Sequence, residues 1–380
     1  MINRELWLSR IAHAWTQVPI AWLAGVRRSG KTVLARQLSD VEFVNCDLPG
    51  EVSRLHDPEA FFRSVRKSCI VFDEVHQLQD PSRLLKIAAD AFPHLRILAT
   101  GSSTLAATRK FRDSLTGRKR TIPLTPVLAA ELPAFGIADV TQRLLRGGLP
   151  PALLAETPSW EFYAEWLDSF FARDVQELFR VEKRAAFLKL AELLFRQSGG
   201  LLEYSSLAKH AGISRPTVMN WIEVLQVTQA VRIIRPFSHG GKRELLAQPK
   251  VYAFDTGFIC YTRGWDQLRP TDCGTLWENL VLDTLLAAPV PRVHFWRDKS
   301  QREVDFVVPG SRDRVDAIEC KWNPDAFEPD NLVAFRLNYP SGRNYVVCPN
   351  LLTPYTRRMK NMTVEFTSAP LLAKEYPTGS

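Results

Sequence analysis

The sequence predicts an α/β protein of several domains, with a phosphate-binding parallel sheet at the front and a second α/β sheet at the back. Three stretches predict it. In "PIAWLAGVRRSGKTVLARQL" a short apolar run leads into a glycine-rich loop and then a helical pattern. "SCIVFDEVHQL" is a continuous apolar run that stops at two acids. "VDAIECKW" has the alternation of a strand, yet carries an acid and a base two residues apart.

The totals agree. A chain of 380 residues can build two or more cores, and 46% hydrophobic with 24% charged residues is the balance of a soluble globular protein. The start, "MINRELWLSRIAHAW", mixes charge into an amphipathic pattern and reads as no signal peptide. No apolar run approaches the roughly 20 residues that span a bilayer, so no membrane partner is expected. The six cysteines fall mostly in apolar runs without metal or disulfide spacing, which predicts a reducing cytoplasm. A net charge of +8 and a pI near 9.2 favour a polyanionic partner such as DNA.

The first loop fits G-x-x-x-x-G-K-[ST] in full: Gly25, Arg27, Arg28, Ser29, Gly30, Lys31 and Thr32 form the expected nucleotide cradle. Backbone N–H groups at a helix N-terminus wrap phosphates, the lysine reaches the terminal ones, and the hydroxyl of Thr32 ligates Mg²⁺. The glycines are expected where a side chain would block the approach of backbone to anion. On the acidic strand, Cys69 to Phe72 read as buried on both faces. Asp73 at its carboxyl end is expected to hold Mg²⁺, and Glu74 to polarise the attacking water. His76 reads as structural. A third strand, "LRILATGSS", ends in Thr100, Gly101 and Ser102, and Thr100 is placed to sense the γ-phosphate of ATP. "VEFVNCD" supplies a further strand between the loop and the acids. "RKFRDSLTGRKRTIPL" is the most basic stretch of this half, with Arg109, Lys110, Arg112, Arg118, Lys119 and Arg120.

These pieces, in this order with "LTGR", "RGGLPPAL", "FFARDVQEL", "PKVYAFDTGF", "GTLWENLVLDTLL", "FWRDKSQREVDFVV" and "AIECKW", resemble the prokaryotic AAA+-type ATPases that carry a C-terminal domain of long-uncertain function. The resemblance spans nearly the whole chain. It implies that Lys31 and Thr32 bind nucleotide, that Asp73 and Glu74 act on Mg²⁺ and water, and that Arg118 is an arginine-finger candidate within an oligomer.

Residues 126–185 read as a helical lid, interrupted where Gly147, Gly148, Pro150 and Pro151 force a turn. Then "LEYSSLAKHAGISRPTVMNWIEVLQ" has helix-turn-helix spacing. Ser214 can cap the second helix, where Val218, Trp221, Ile222 and Leu225 form an apolar stripe. Arg215, Thr217 and Asn220 fall outward, as on a recognition helix. "AVRIIRPFSHGGKREL" reads as a wing of two strands around Gly-Gly, carrying Lys242 and Arg243.

In "GTLWENLVLDTLL", at about 100° per residue, Trp277, Leu280, Val281 and Leu285 make an apolar face. Glu278 projects into that apolar sector, while Asn279 and Asp283 lie opposite, where water is expected. Asp305 points away from the apolar face of Val304, Phe306 and Val308. Glu319 and Lys321 share one face of the following strand. An acid on one strand and Glu-x-Lys on the next resembles the restriction-nuclease fold. That likeness implies carboxylates Glu278, Asp305 and Glu319 on Mg²⁺, with Lys321 beside the scissile phosphate. The plainer reading is a salt-bridged core.

The expected division is a P-loop core at 1–125, a lid at 126–185, a winged helix at 186–245 and a restriction-endonuclease-like domain at 246–380. The expected function is an oligomeric, ATP-hydrolysing protein acting on DNA, with metal-dependent cleavage in its last domain. The alternative is a nucleotide-switched DNA-binding or scaffold protein whose last domain is catalytically silent.

Overall fold

The computed structural model describes residues 2–101, 113–176, 179, 181–238, 248–288, 290, 292–310 and 313–376. Ser102, Arg109, Lys110, Arg112, Lys242 and Arg243 lie outside the described residues. The chain divides into two compact units. The first takes Met1–Thr125, Asp168–Val181 and Val227–Gln229; the second takes Pro126–Leu167, Glu182–Gln226 and Ala230–Ser380. The residues expected to form one lid thus fall into both units.

The first unit is built on five strands: β1 (Ile20–Ala24), β2 (Val41–Asn45), β3 (Cys69–Asp73), β4 (Arg96–Thr100) and β5 (Lys119–Pro123). Their order is β2-β3-β4-β1-β5, and every neighbouring pair is parallel. The three central strands β1, β3 and β4 are almost wholly buried, which is why they read as unbroken apolar runs. The strand that separates loop strand β1 from acidic strand β3 is β4, and β2 lies at the edge. The sequence has β2 between them along the chain; in space it is β4. Helix α1 (Glu5–Trp15) buries Trp7, Ile11 and Ala14 and packs on β1.

In the second unit, helices α2 (Val140–Arg146), α3 (Arg184–Arg196), α4 (Tyr204–Ala211) and α5 (Arg215–Val227) precede the antiparallel strands β6 (Val231–Ile234) and β7 (Lys250–Ala253). Leu201 bridges Lys250 on the far edge of β7. Among the described residues β6 pairs with β7, beyond residue 245, while the wing strand expected within "GKREL" lies outside the described residues. Ser214 Oγ accepts from Thr217 N at 3.2 Å, and Val218, Trp221, Ile222 and Leu225 are buried, as the cap and stripe required. Helices α6 (Thr256–Arg263) and α7 (Pro270–Ala287) follow.

The second sheet runs β12-β13-β11-β10-β9-β8. Its strands are β8 (His294–Arg297), β9 (Glu303–Pro309), β10 (Val315–Cys320), β11 (Asn344–Val347), β12 (Tyr355–Met359) and β13 (Met362–Thr367), with helix α8 (Asp330–Asn338) between β10 and β11. β8, β9 and β10 are antiparallel neighbours; β10, β11 and β13 run parallel.

Two residues overturn the amphipathic reading of α7. Asn279 is 1% exposed and Asp283 is 0% exposed, although both were expected to face water. Protein covers that side instead. Asn279 Oδ1 accepts from Ser198 Oγ, and its amide donates to the Ala253 carbonyl. Asp283 lies 3.2 Å from Arg232 and 3.7 Å from the fully buried Arg143. The double-glycine turn belongs to the same buried network. Gly148 N donates to Asp255 Oδ2 at 2.6 Å. A Cβ on Gly147 would stand 1.9 Å from Asp255 Oδ1, so close approach as well as its φ of +68° demands glycine there. All six cysteines are buried and unpaired with one another.

Candidate functional site

The carboxyl ends of β1, β3 and β4 bring together the residues expected around a nucleotide. Gly30 sits at φ 94° as the N-cap of the helix Lys31–Ala35, a conformation that suits glycine. Gly25 has a reason within the fold itself: a Cβ there would lie 2.7 Å from the Leu124 carbonyl oxygen. Packing against the chain after β5 excludes a side chain at this position. Lys31 Nζ turns back on its own loop, donating to the carbonyls of Gly25 at 2.9 Å and Val26 at 3.2 Å. Burial pulls its pKa below the ordinary lysine value, against the pull of Glu74 and Asp174. A desolvated cation held by carbonyl oxygens, beside the buried and unpartnered Ser29 Oγ, fits an anionic ligand.

The acids are joined by one hydroxyl. Thr100 Oγ1 donates to Asp73 Oδ1 at 2.6 Å and accepts from Glu74 N at 3.0 Å. Thr100 is fully buried, so it fixes the relative placement of the two acids. Glu74 takes a left-handed conformation, φ 55° and ψ 42°. Such backbone costs a non-glycine residue energy and tends to persist at functional positions. It turns Glu74 out of the β3 ladder, where its carboxylate meets His76 Nδ1 at 3.2 Å. His76, read as structural, therefore touches a site carboxylate.

A further residue was not found from the sequence. Asp174, in the π-helical turn Phe171–Gln176, pairs with loop residue Arg27 at 2.6 Å. The motif "FFARDVQEL" contains it, but nothing local announces a partner about 150 residues away along the chain. A π-turn is itself a common mark of functional positions. Arg118 lies at the amino end of β5, where its carbonyl accepts from Ile20 N, the start of β1. That is the end of the strands opposite to the loop, although β5 is the neighbour of β1. Its guanidinium makes two bonds to Asp90, at 2.6 and 3.1 Å.

In the second unit the C-terminal acids do converge. The β9–β10 register, with Ile318 opposite Phe306, brings Glu319 alongside Asp305. Asp305 Oδ2 accepts from Cys320 N at 2.7 Å, and Glu319 Oε2 accepts from Lys321 Nζ at 2.8 Å. Glu319 is 2% exposed, which excludes a solvated outer face. Burial first, then the Asp305 charge, push its pKa to about 8, and burial lifts Glu278 to about 7. Two residues from β7 complete the cluster and went unrecognised in the sequence. Tyr252 Oη donates to Glu278 Oε1 at 2.5 Å, and Lys250 Nζ lies 3.4 Å from the same oxygen and 2.5 Å from Glu303. Burial lowers the Lys250 pKa, but Glu278, Asp305 and Glu303 outweigh it and the net shift is upward. Among the described residues, no three of His, Cys, Asp or Glu stand together as a metal-holding group. The ligand set expected for Mg²⁺ at Glu278, Asp305 and Glu319 does not fit an ion as it stands.

Residues 17–132 match the AAA domain family. Residues 137–269 and 273–366 match two domains of unknown function, DUF8612 and DUF4143. Uncharacterized protein Rv2008c of Mycobacterium tuberculosis (strain H37Rv) is 29% identical over 325 residues, covering 81% of this chain and 71% of that protein. Uncharacterized protein Mb2031c of Mycobacterium bovis gives the same figures. Among solved structures, the Walker-type ATPase PABY2304 of Pyrococcus abyssi is similar over 69% of this chain and 96% of its own, at 15% identity and a TM-score of 0.44. The Bacillus subtilis DNA clamp loader delta protein covers 63% and 89%, at 11% identity and a TM-score of 0.26.

The AAA match and the geometry coincide: residues 17–132 carry a parallel sheet that resembles a P-loop ATPase core. No helix among the described residues is long and apolar enough to cross a membrane.

Proposed function

We propose that the chain is an ATP-hydrolysing protein that acts on DNA as an oligomer. The observation that carries the ATPase reading is the Thr100 hydroxyl joining Asp73 to Glu74 at the edge where Lys31 waits on carbonyl oxygens. In this reading Lys31 exchanges the Gly25 and Val26 carbonyls for the β- and γ-phosphates. Thr32 and Asp73 would hold Mg²⁺, which when bound neutralises charge developing on the transferred phosphoryl group. Glu74 orients the attacking water and draws off its proton. Thr100 keeps Asp73 and Glu74 in register, and Arg27 with Asp174 tethers the loop.

Arg118 lies at the amino ends of the strands, away from the loop at their carboxyl ends, which supports a role on a neighbouring subunit's nucleotide. Arg118→Ala alone should lose ATPase activity. Mixing it with inactive Lys31→Ala should restore a part, because some interfaces then combine an intact loop with an intact arginine. A monomer at all concentrations, with ATPase activity proportional to protein, would count against assembly.

The DNA reading is supported by the order helix, bridge, helix, helix, antiparallel hairpin from α3 to β7, the order of a winged helix. Arg215 and Asn220 are exposed on α5, whereas Thr217 is half-buried with its hydroxyl bonded to Ser214. Fluorescence anisotropy on labelled duplex DNA tests it. Affinity should fall steeply with salt and drop in Arg215→Ala. Salt-independent or absent binding sinks the DNA reading and leaves a signalling ATPase whose hairpin module contacts protein.

For the last domain, the order α7-β8-β9-β10-α8-β11 with Asp305 and Glu319-x-Lys321 supports a restriction-nuclease-like fold. The ion pairs of Lys250 and Lys321 favour the second reading, in which this domain binds without cutting. Incubating linear, single-stranded and branched DNA with and without ATP and Mg²⁺ separates the two.

A further inference from the structure

The stretch "PKVYAFDTGF" stood out in the sequence, and neither ATP hydrolysis nor the DNA reading accounts for it. Its residues alternate along β7 (Lys250–Ala253), so Lys250 and Tyr252 share a face. That face is turned to the acids of the last domain. Lys250 is 4% exposed and holds Glu303 at 2.5 Å and Glu278 at 3.4 Å, with its ammonium 5.4 Å from the Phe295 ring centre. Tyr252 fixes Glu278 from the same side. Deeper in, Glu319 spends one oxygen on Lys321, while its other oxygen is buried without a hydrogen-bond partner. Four carboxylates (Glu278, Glu303, Asp305, Glu319) thus crowd around two ammonium groups. One of these comes from within Glu-x-Lys itself. The other comes from β7, the second strand after the helix-turn-helix.

We propose that Lys250 is a built-in counter-cation that occupies the acidic cluster in place of a divalent metal ion. An ammonium and a divalent cation compete for the negative charge of the same carboxylates and repel one another, so seating one weakens the hold on the other. With Lys250 seated, the two ammonium groups, with Arg297 on Glu303, offset much of the charge of the four carboxylates without metal. Withdrawing it leaves Glu278, Asp305 and the unsatisfied Glu319 oxygen without that charge, in a place where uncompensated carboxylates are costly. A hard divalent cation then becomes the natural occupant. This inference rests on the acidic cluster being the ligand-bearing centre of the last domain, and not on any cleavage by it.

The test uses the full chain without nucleotide, titrated with Mn²⁺ and followed by the electron paramagnetic resonance signal of free Mn²⁺. Wild type should show no Asp305-dependent site up to millimolar metal. Lys250→Met should gain one Mn²⁺ site at least about tenfold tighter than any in wild type, and adding Asp305→Asn should remove it. Lys250→Arg, which keeps the charge, should gain nothing. If Lys250→Met does not fold, Lys250→Gln takes its place. A wild-type Mn²⁺ site abolished by Asp305→Asn overturns the proposal, as does a folded, uncharged Lys250 variant with no new site. DNA cleavage assayed in parallel keeps the two ideas apart. A gained metal site without cleavage upholds the counter-cation and refutes the nuclease; wild-type metal binding with cleavage does the reverse.

Discussion

Glu74→Gln binds ATP as tightly as the wild type and hydrolyses it at least about 100-fold more slowly, the usual loss when a general base is removed. The shape at residue 74 is kept, because its left-handed backbone and the bond from its N–H to Thr100 do not involve the carboxylate. Only the group that would take the proton changes. Lys31→Ala gives the complementary result: binding itself fails, because the ammonium that turns in onto the loop's own carbonyls is gone. Single-turnover hydrolysis, with affinity measured by a fluorescent ATP analogue, separates the two. Equal turnover by wild type and Glu74→Gln would remove Glu74 from the chemistry and point to its neighbour His76.

Arg143→Met should be the most destabilising single change in the second unit. Arg143 is fully buried, donates to the Val127 carbonyl at 2.6 Å and to Thr256 Oγ1 at 2.9 Å, and faces Asp283 at 3.7 Å. Its loss leaves Asp283 with Arg232 as its remaining ion-pair partner, and Asp255 loses the charge that favours its ionised form. Removing one member of a buried ion network costs about 3–5 kcal/mol. For a unit of this size that lowers the melting temperature by about 10 °C. A pH signature accompanies it. Burial lifts the Asp283 carboxyl to about 6 from 3.8, against the pull of Arg232 and Arg143. The folded form therefore keeps a proton that the unfolded chain has already lost. The stability contributed by this group falls as pH rises from about 4 to about 6. In Arg143→Met the window should extend to higher pH. Thermal melts between pH 4.5 and 8 check both claims, and a melting temperature unchanged from wild type would show that the network contributes nothing.

The residues that chemistry needs close together in the chain were legible in the sequence. Gly25 to Thr32 lie on one loop, Asp73 and Glu74 are adjacent, Ser214 caps three residues ahead of Thr217, and Glu319 and Lys321 are two apart on one strand. Local geometry fixes such spacings, so one-dimensional reading found them. It also found that β3 is buried on both faces, because a central parallel strand has no polar side to show. The tertiary structure alone decided the rest. It placed β4 rather than β2 between the loop and the acids, since lateral strand order leaves no mark in the strands' own residues. It brought Asp174 to Arg27, and Lys250 with Tyr252 to Glu278, across separations that no periodicity records. It also reversed the expectation for α7. Helical phase gives the direction in which Asn279 and Asp283 project, but not what waits there. Ser198, Arg143 and Arg232 fill that space, and a polar side chain looks the same in the sequence whether water or a buried guanidinium satisfies it.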